Sequence, residues 1–196
     1  MSPEPIPSRS VAAVLLAAGE SRRFGSPKQL ARLGGRTLLE HVVRLAARAG
    51  LDPIIVVVPV WLSLPTHEQE RVTWVRNPHP ERGMSFSLQL GFEALPAEAE
   101  AAIILLGDQP AIPVSSIAAL VARRGPRPIV AGWVGGHPGP PALIERSRFE
   151  VVKATSGDRG LRDLLAAHPE WVTLVELPAP ADVDTPAALR ALRSKR

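Results

Sequence analysis

Arg23, Lys28 and Asp108 are the residues of this chain whose types and placement could do chemistry, and that chemistry is the handling of phosphate. Residues 15–30 read LLAAGESRRFGSPKQL: an apolar run over 11–17 stops at Ala18-Gly19, and a short loop with Ser21, Arg22, Arg23, Gly25 and Lys28 follows. Gly19 and Gly25 let backbone N–H groups come close to phosphate oxygens. Arg23 and Lys28 supply the positive charge that a polyphosphate demands. The small apolar residue before Gly19 leaves room for a flat base or a sugar. Two common phosphate loops are excluded by spacing. Phe24 stands where the second glycine of a P-loop would fall, Lys28 is followed by Gln29 instead of Ser or Thr, and no G-x-G-x-x-G follows the apolar run.

Asp108 lies in Leu105-Leu106-Gly107-Asp108-Gln109-Pro110, just past a second apolar run. A carboxylate in that position suits Mg²⁺, which takes one or two carboxylates and fills its other positions with phosphate and water. A turn or helix-cap aspartate is the alternative. Asp182 and Asp184, in Ala181-Asp182-Val183-Asp184-Thr185-Pro186, read equally as the cap of a last helix or as a second metal carboxylate. Ser85 and Ser87, in Arg82-Gly83-Met84-Ser85-Phe86-Ser87-Leu88, open a helix and either cap it or hold a base, ribose or phosphate. Gly157-Asp158-Arg159-Gly160 is another loop-to-helix entry, where a second anionic substrate could dock.

What is missing narrows the reaction. There is no cysteine, the five histidines have no metal-ligand spacing, and there is no G-x-S-x-G elbow. No nucleophile or general base is evident. Phosphoryl and nucleotidyl transfer to a phosphate acceptor need neither, because the acceptor is already an anion and catalysis rests on positioning and charge neutralisation.

These residues need a scaffold that brings them together. Continuous apolar runs at 11–17, 54–60 and 102–106 read as buried parallel strands, with further strands at 72–77, 128–134, 142–144 and 171–176. Helical spacing marks 37–49, 85–95 (opened by a serine cap), 114–123, 162–167 and 185–196. The stretch 132–141, crowded with Gly and Pro, reads as a loop. The alternation predicts an α/β fold, three-layered around an open, mostly parallel sheet, whose ligands bind beyond the carboxyl ends of the strands. One domain over 11–196 follows a disordered tail over 1–10 that lacks the apolar core of a signal peptide, so a cytoplasmic location is expected. The net charge of +4 suits anionic partners, but aromatics make up 4% with no tyrosine, which argues against a nucleic-acid platform. No apolar run is long enough for a membrane span.

The string over 15–30 resembles the signature L-A-A-G-x-S-x-R-[MF]-G-x-x-K of nucleotidyltransferases with a glycosyltransferase-A-like, Rossmann-like fold, and within them the molybdenum cofactor cytidylyltransferase group. Four further segments agree in order: Gly83–Leu88, Gly107–Pro110, Gly157–Gly160 and Asp182–Pro186. The resemblance implies Mg²⁺-dependent transfer of CMP from CTP to molybdopterin with release of pyrophosphate, for delivery to a molybdoenzyme client. It implies that Leu16, Ala17, Ala18 and Gly19 meet the nucleotide through the backbone, with Ser85 and Ser87 at the base or ribose. Arg23 and Lys28 would hold the triphosphate, Asp108 and Asp184 the metal, and His137, Asp158 and Arg159 the acceptor. The family's Gly-x-Pro-Gly-His-Pro loop is here Gly136-His137-Pro138-Gly139-Pro140-Pro141, with Pro140 in the histidine's place. That departure concerns acceptor identity. Pro27-Lys28-Gln29 and Arg36–His41 also resemble the isoprenoid cytidylyltransferases, but Gly107-Asp108-Gln109-Pro110 replaces their His-Asp-Ala-Ala-Arg-Pro. Other readings are GTP as donor, a sugar or alditol phosphate as acceptor, or a non-catalytic cofactor-binding chaperone.

Overall fold

The computed structural model describes residues 11–19, 21, 24–63, 71–157, 159–178 and 183–194; the expected tail over 1–10 lies outside them. In chain order the elements are β1 (Val11–Leu16), a 3-10 turn (Lys28–Leu30), β2 (Arg32–Leu33), β3 (Arg36–Thr37), α1 (Leu38–Arg48), β4 (Ile54–Pro59), β5 (Val72–Asn77), α2 (Met84–Glu93), β6 (Ala101–Leu106), α3 (Val114–Ala122), β7 (Ile129–Val134), β8 (His137–Glu145), a 3-10 segment (Arg146–Ala154), α4 (Gly160–Ala167), β9 (Val172–Glu176) and α5 (Pro186–Ser194). The main sheet runs β5-β4-β1-β6-β8-β7-β9, with β8 antiparallel to both neighbours and every other pairing parallel. Alternate residues of each central strand face opposite layers. Ala13 and Leu15 pack with α1 and α3 through Leu39, Val42, Ile117 and Leu120. Ala12 and Val14 pack with α2 and α4 through Leu88, Phe92, Leu161 and Leu165. Burial on both faces is why β1 and β4 read as unbroken apolar runs.

The crossovers from β1 lead to β4 on one side, while β6 pairs with β1 on the other, Leu16 opposite Leu106. The carboxyl ends of β1 and β6 therefore meet where the strand order reverses, the place where open α/β sheets bind ligands. The Gly19 loop and Asp108 both begin there.

Two expectations are corrected. The stretch 132–141 is no loop: β7 and β8 form a hairpin across Gly135-Gly136, whose φ of 58° and 85° make the two-residue turn that matches strand twist. The prolines are absorbed where the register shifts. Gly132 pairs with Gly139 and Ala131 with Ala142, which leaves Pro140 and Pro141 outside the ladder, where no N–H is needed. The same turn chemistry at Gly34-Gly35 makes the β2–β3 hairpin, which periodicity alone does not reveal. Second, α2 is not opened by a serine cap. Its N-cap is Gly83 at φ 86°, and Ser85 and Ser87 lie buried inside the helix. Among the described residues no helix is long and apolar enough to cross a membrane.

Thr37 and Glu40 form a reciprocal capping box that fixes the start of α1. The next residue, Leu38, anchors a small apolar cluster with Leu33, Val183 and Leu189. Helix α2 lies close on the sheet because Gly91 faces β1: a Cβ there would collide with Val14 Cγ1 and come within 3.2 Å of Val57 Cγ2. Gly91→Ala should push α2 off the sheet and lower stability by about 1–3 kcal/mol in urea unfolding. A neutral effect would contradict this packing.

Candidate active site

A cavity of about 360 Å³ opens at the switch point. It is lined by residues 16–19 after β1 and 106–108 after β6, by Met84 and Ser87 of α2, and by Lys28 and Gln29. The two strand ends touch. Gly107 N–H donates to Leu16 O at 3.0 Å, and a Cβ on Gly107 would fall 2.9 Å from Ala17 Cβ, so only glycine permits this approach. At Gly19 nothing lies within 4 Å of where a Cβ would stand, so the loop is open to a ligand there.

The loop after β1 is held from beneath by Gln29, which is 3% exposed. Its Nε2 donates to Ala17 O at 2.8 Å and to Gly19 O at 2.7 Å. Because C=O and N–H point opposite ways across a trans peptide, tying the Ala17 carbonyl to Gln29 aims the Ala18 N–H away from it. Ser21, at φ 55°, donates to Gln29 Oε1 at 3.3 Å and accepts from Lys28 N at 3.1 Å. The phosphate-type loop and the lysine that follows it are thus one hydrogen-bonded unit.

Lys28 Nζ sits between two carboxylates, 2.5 Å from Asp108 Oδ2 and 3.0 Å from Asp184 Oδ1. Burial pulls its pKa down, but the charge and hydrogen bond of Asp108, then those of Asp184, outweigh burial and hold the ammonium above the usual lysine range. The last helix does not need Asp184 as a cap: Thr185 Oγ1 accepts from Ala188 N at 3.1 Å. Asp184 is delivered to Lys28 instead. Val183 plugs into the cluster of Leu33, Leu38 and Leu189, and its N–H donates to Asp108 O at 3.0 Å.

Two carboxylates from distant segments already converge on one cation, the Lys28 ammonium, as they would on a divalent ion. The donors are hard, anionic oxygens of the type that Mg²⁺ and Mn²⁺ take. Among the described residues no group of three or more His, Asp or Glu could hold a metal. An ion at Asp108 and Asp184 would therefore depend on a ligand's phosphates for further oxygens. The residues present fit such an ion.

Of the expected site residues, the structure brings Leu16, Ala17, Ala18, Gly19, Lys28, Ser87 and Asp108 to the cavity, with Asp184 bound to Lys28. Arg23, Asp158 and Asp182 lie outside the described residues. Ser85 stands behind the wall: its N–H donates to Gly157 O at 3.0 Å, and a Cβ on Gly160 would fall 2.9 Å from its Cβ. Ser85 is thus packed against Gly157 and Gly160. Arg159 is exposed, 3.6 Å from Asp163, and His137 is exposed beside the hairpin turn; neither lines the cavity. Sequence reasoning gave no role to Gln29 or Asn77. Gln29 stood in the quoted string, and its signal was a neutral amide beside a phosphate-type lysine. Asn77 is wholly buried at the end of β5 and donates from Nδ2 to Ser87 Oγ at 2.8 Å.

Residues 13–172 match the model of the MobA-like NTP transferase domain. The chain belongs to that family. Membership makes this nucleotidyltransferase's cavity the place to look for its nucleotide. It is 32% identical over 162 residues to purine catabolism protein PucB of Bacillus subtilis, covering 78% of each. It is 33% identical to the 2-C-methyl-D-erythritol 4-phosphate cytidylyltransferase of Streptomyces coelicolor, covering 83% of this chain and 68% of that one. It spans 34% and 33% of two bifunctional relatives that it also matches. In fold it resembles Rv0371c of Mycobacterium tuberculosis, with a TM-score of 0.80 at 24% identity over 94% of this chain and 98% of that one.

The Lys28 ammonium and a divalent ion would compete for Asp108 and Asp184. Lys28→Met should tighten Mn²⁺ binding to the nucleotide-free protein by roughly tenfold or more, because a unit charge about 4 Å away is worth about 1–4 kcal/mol between aqueous and half-buried limits. Titration followed by Mn²⁺ electron paramagnetic resonance reads this. Unchanged affinity would mean that the ammonium does not hold the cation's place.

Proposed function

We propose that the protein is a Mg²⁺-dependent cytidylyltransferase that moves CMP from CTP to the terminal phosphate of molybdopterin, releases pyrophosphate, and supplies the product to a molybdoenzyme in the cytoplasm. The observation that carries the reading is the convergence of Lys28, Asp108 and Asp184 beside the open Ala17–Gly19 backbone at the switch point. CTP is supported by the cytidylyltransferase relative and by the hydroxyl of Ser87 on the cavity wall. Molybdopterin is supported by the ordered motifs, with Gly160 packed against Ser85 of α2.

In this reading the backbone from Ala17 to Gly19 receives the nucleotide, and Ser87 meets its base. Lys28 leaves the carboxylates for the triphosphate, and Arg23 adds a second positive charge. An acceptor phosphate oxygen attacks the α-phosphorus as an anion, so no side chain need take a proton. A bond from that oxygen to the α-phosphorus forms, the bond from the α-phosphorus to the bridging oxygen of the leaving group breaks, and Lys28 and Arg23 neutralise the departing pyrophosphate. A divalent ion held by Asp108 and Asp184 would supply further neutralisation of the phosphate charge. Asp158, Arg159 and His137 remain candidates for the acceptor.

A second acceptor, an alditol phosphate, is favoured by the identity to the methylerythritol phosphate enzyme. Purified protein with Mg²⁺, CTP and molybdenum-loaded molybdopterin should form the dinucleotide cofactor and pyrophosphate. Turnover with methylerythritol phosphate alone would move the acceptor to that class. Asp108→Asn should lower turnover by about 100-fold or more, the scale seen when a group that stabilises transition-state charge is lost. Full activity in that variant would contradict the catalytic role.

A further inference from the structure

Asn77 sits at 0% exposure behind the cavity wall, and the proposed reaction makes no use of it. Its amide orientation is not arbitrary. Oδ1 lies 2.7 Å from His79 N, and a backbone N–H can only donate, so the oxygen must face His79. Nδ2 therefore faces Ser87 Oγ, at 2.8 Å. An amide nitrogen can only donate, so Ser87 accepts in that direction, and its own proton must point elsewhere. Among the described residues no protein acceptor takes that proton. Ser87 is 5% exposed, and its open side is the cavity.

We infer that Asn77 is a positioning residue that fixes the Ser87 hydroxyl as a hydrogen-bond donor to the nucleobase, and that this polarity selects a base edge carrying acceptors, as cytosine does at N3 and O2. Uracil has a donor at N3, and guanine has donors at N1 and N2, so a donor from the wall meets a donor on those edges. Two facing donors leave buried groups unpaired, which is the strongest basis a pocket has for rejecting a near-isostere. The inference rests on the reading of the cavity as a cytidine nucleotide site.

Asn77→Asp tests it with a near-isosteric change. A carboxylate still accepts from His79 N, but it also accepts from Ser87, turning the hydroxyl proton away from the cavity and leaving only lone pairs facing the base. Binding of CTP, UTP, GTP and inorganic tripolyphosphate is measured on wild type and variant by calorimetry. Wild type should prefer CTP. The variant should lose at least tenfold of that preference over UTP and GTP while binding tripolyphosphate as before. A folded variant that keeps the preference overturns the inference and leaves the cytidylyltransferase reading intact. Equal loss of CTP and tripolyphosphate would reveal a merely structural role and also overturn it. A wild type that prefers GTP or UTP overturns both. Should the variant fail to fold, Ser87→Ala decides: the inference requires the same loss of base preference, and retention of the preference defeats it.

Discussion

One ammonium between two carboxylates organises this protein. Lys28 joins Asp108, 80 residues away, and Asp184, 156 residues away, at 2.5 and 3.0 Å. All three side chains are mostly shielded, at 18%, 17% and 30% exposure, so their attraction is only partly screened, while desolvation offsets much of it. The triad is therefore modest as a source of stability. Its importance is geometric: it closes the chain's first loop, central turn and last segment onto one point. It also keeps together two carboxylates that would otherwise repel.

Each member arrives there for an ordinary packing reason. Asp108 follows a strand buried on both faces, and Gly107 lets that strand end touch Ala17. Lys28 is held through the Ser21 and Gln29 hydrogen bonds that shape the loop before it. Asp184 rides on Val183, whose burial beside Leu33 and Leu38 depends in turn on the capped start of α1. Rigid elements thus carry a site lined by strand ends, one helix start and the Lys28–Gln29 segment.

Much of this was legible in the sequence, for definable reasons. The central strands are buried on both sides, so their runs are unbroken, and the residues that end them fall at the ligand edge. Lys28 and Asp108 could be singled out from type and place alone. Asp184 could not, since a cap and a metal ligand look identical in Asp-Thr-Pro; in the structure Thr185 accepts from Ala188 N and Asp184 meets Lys28. The Gly132–Pro141 stretch misleads because glycine pairs serve tight hairpins as well as loops, and prolines are tolerated in a bulge. Gln29 and Asn77 are invisible to pattern reading because their work is done by bonds to backbone and hydroxyl groups contributed by other segments.

In the proposed reaction a metal–nucleotide complex takes over the place that Lys28 holds between Asp108 and Asp184. Crystals grown with Mn²⁺ and a non-hydrolysable CTP analogue, examined by anomalous scattering, test it most directly. A manganese peak bound by both carboxylates and by the phosphates is expected, with the Lys28 ammonium moved onto the triphosphate. A nucleotide bound with Lys28 still between the two aspartates, and manganese elsewhere or absent, would contradict it.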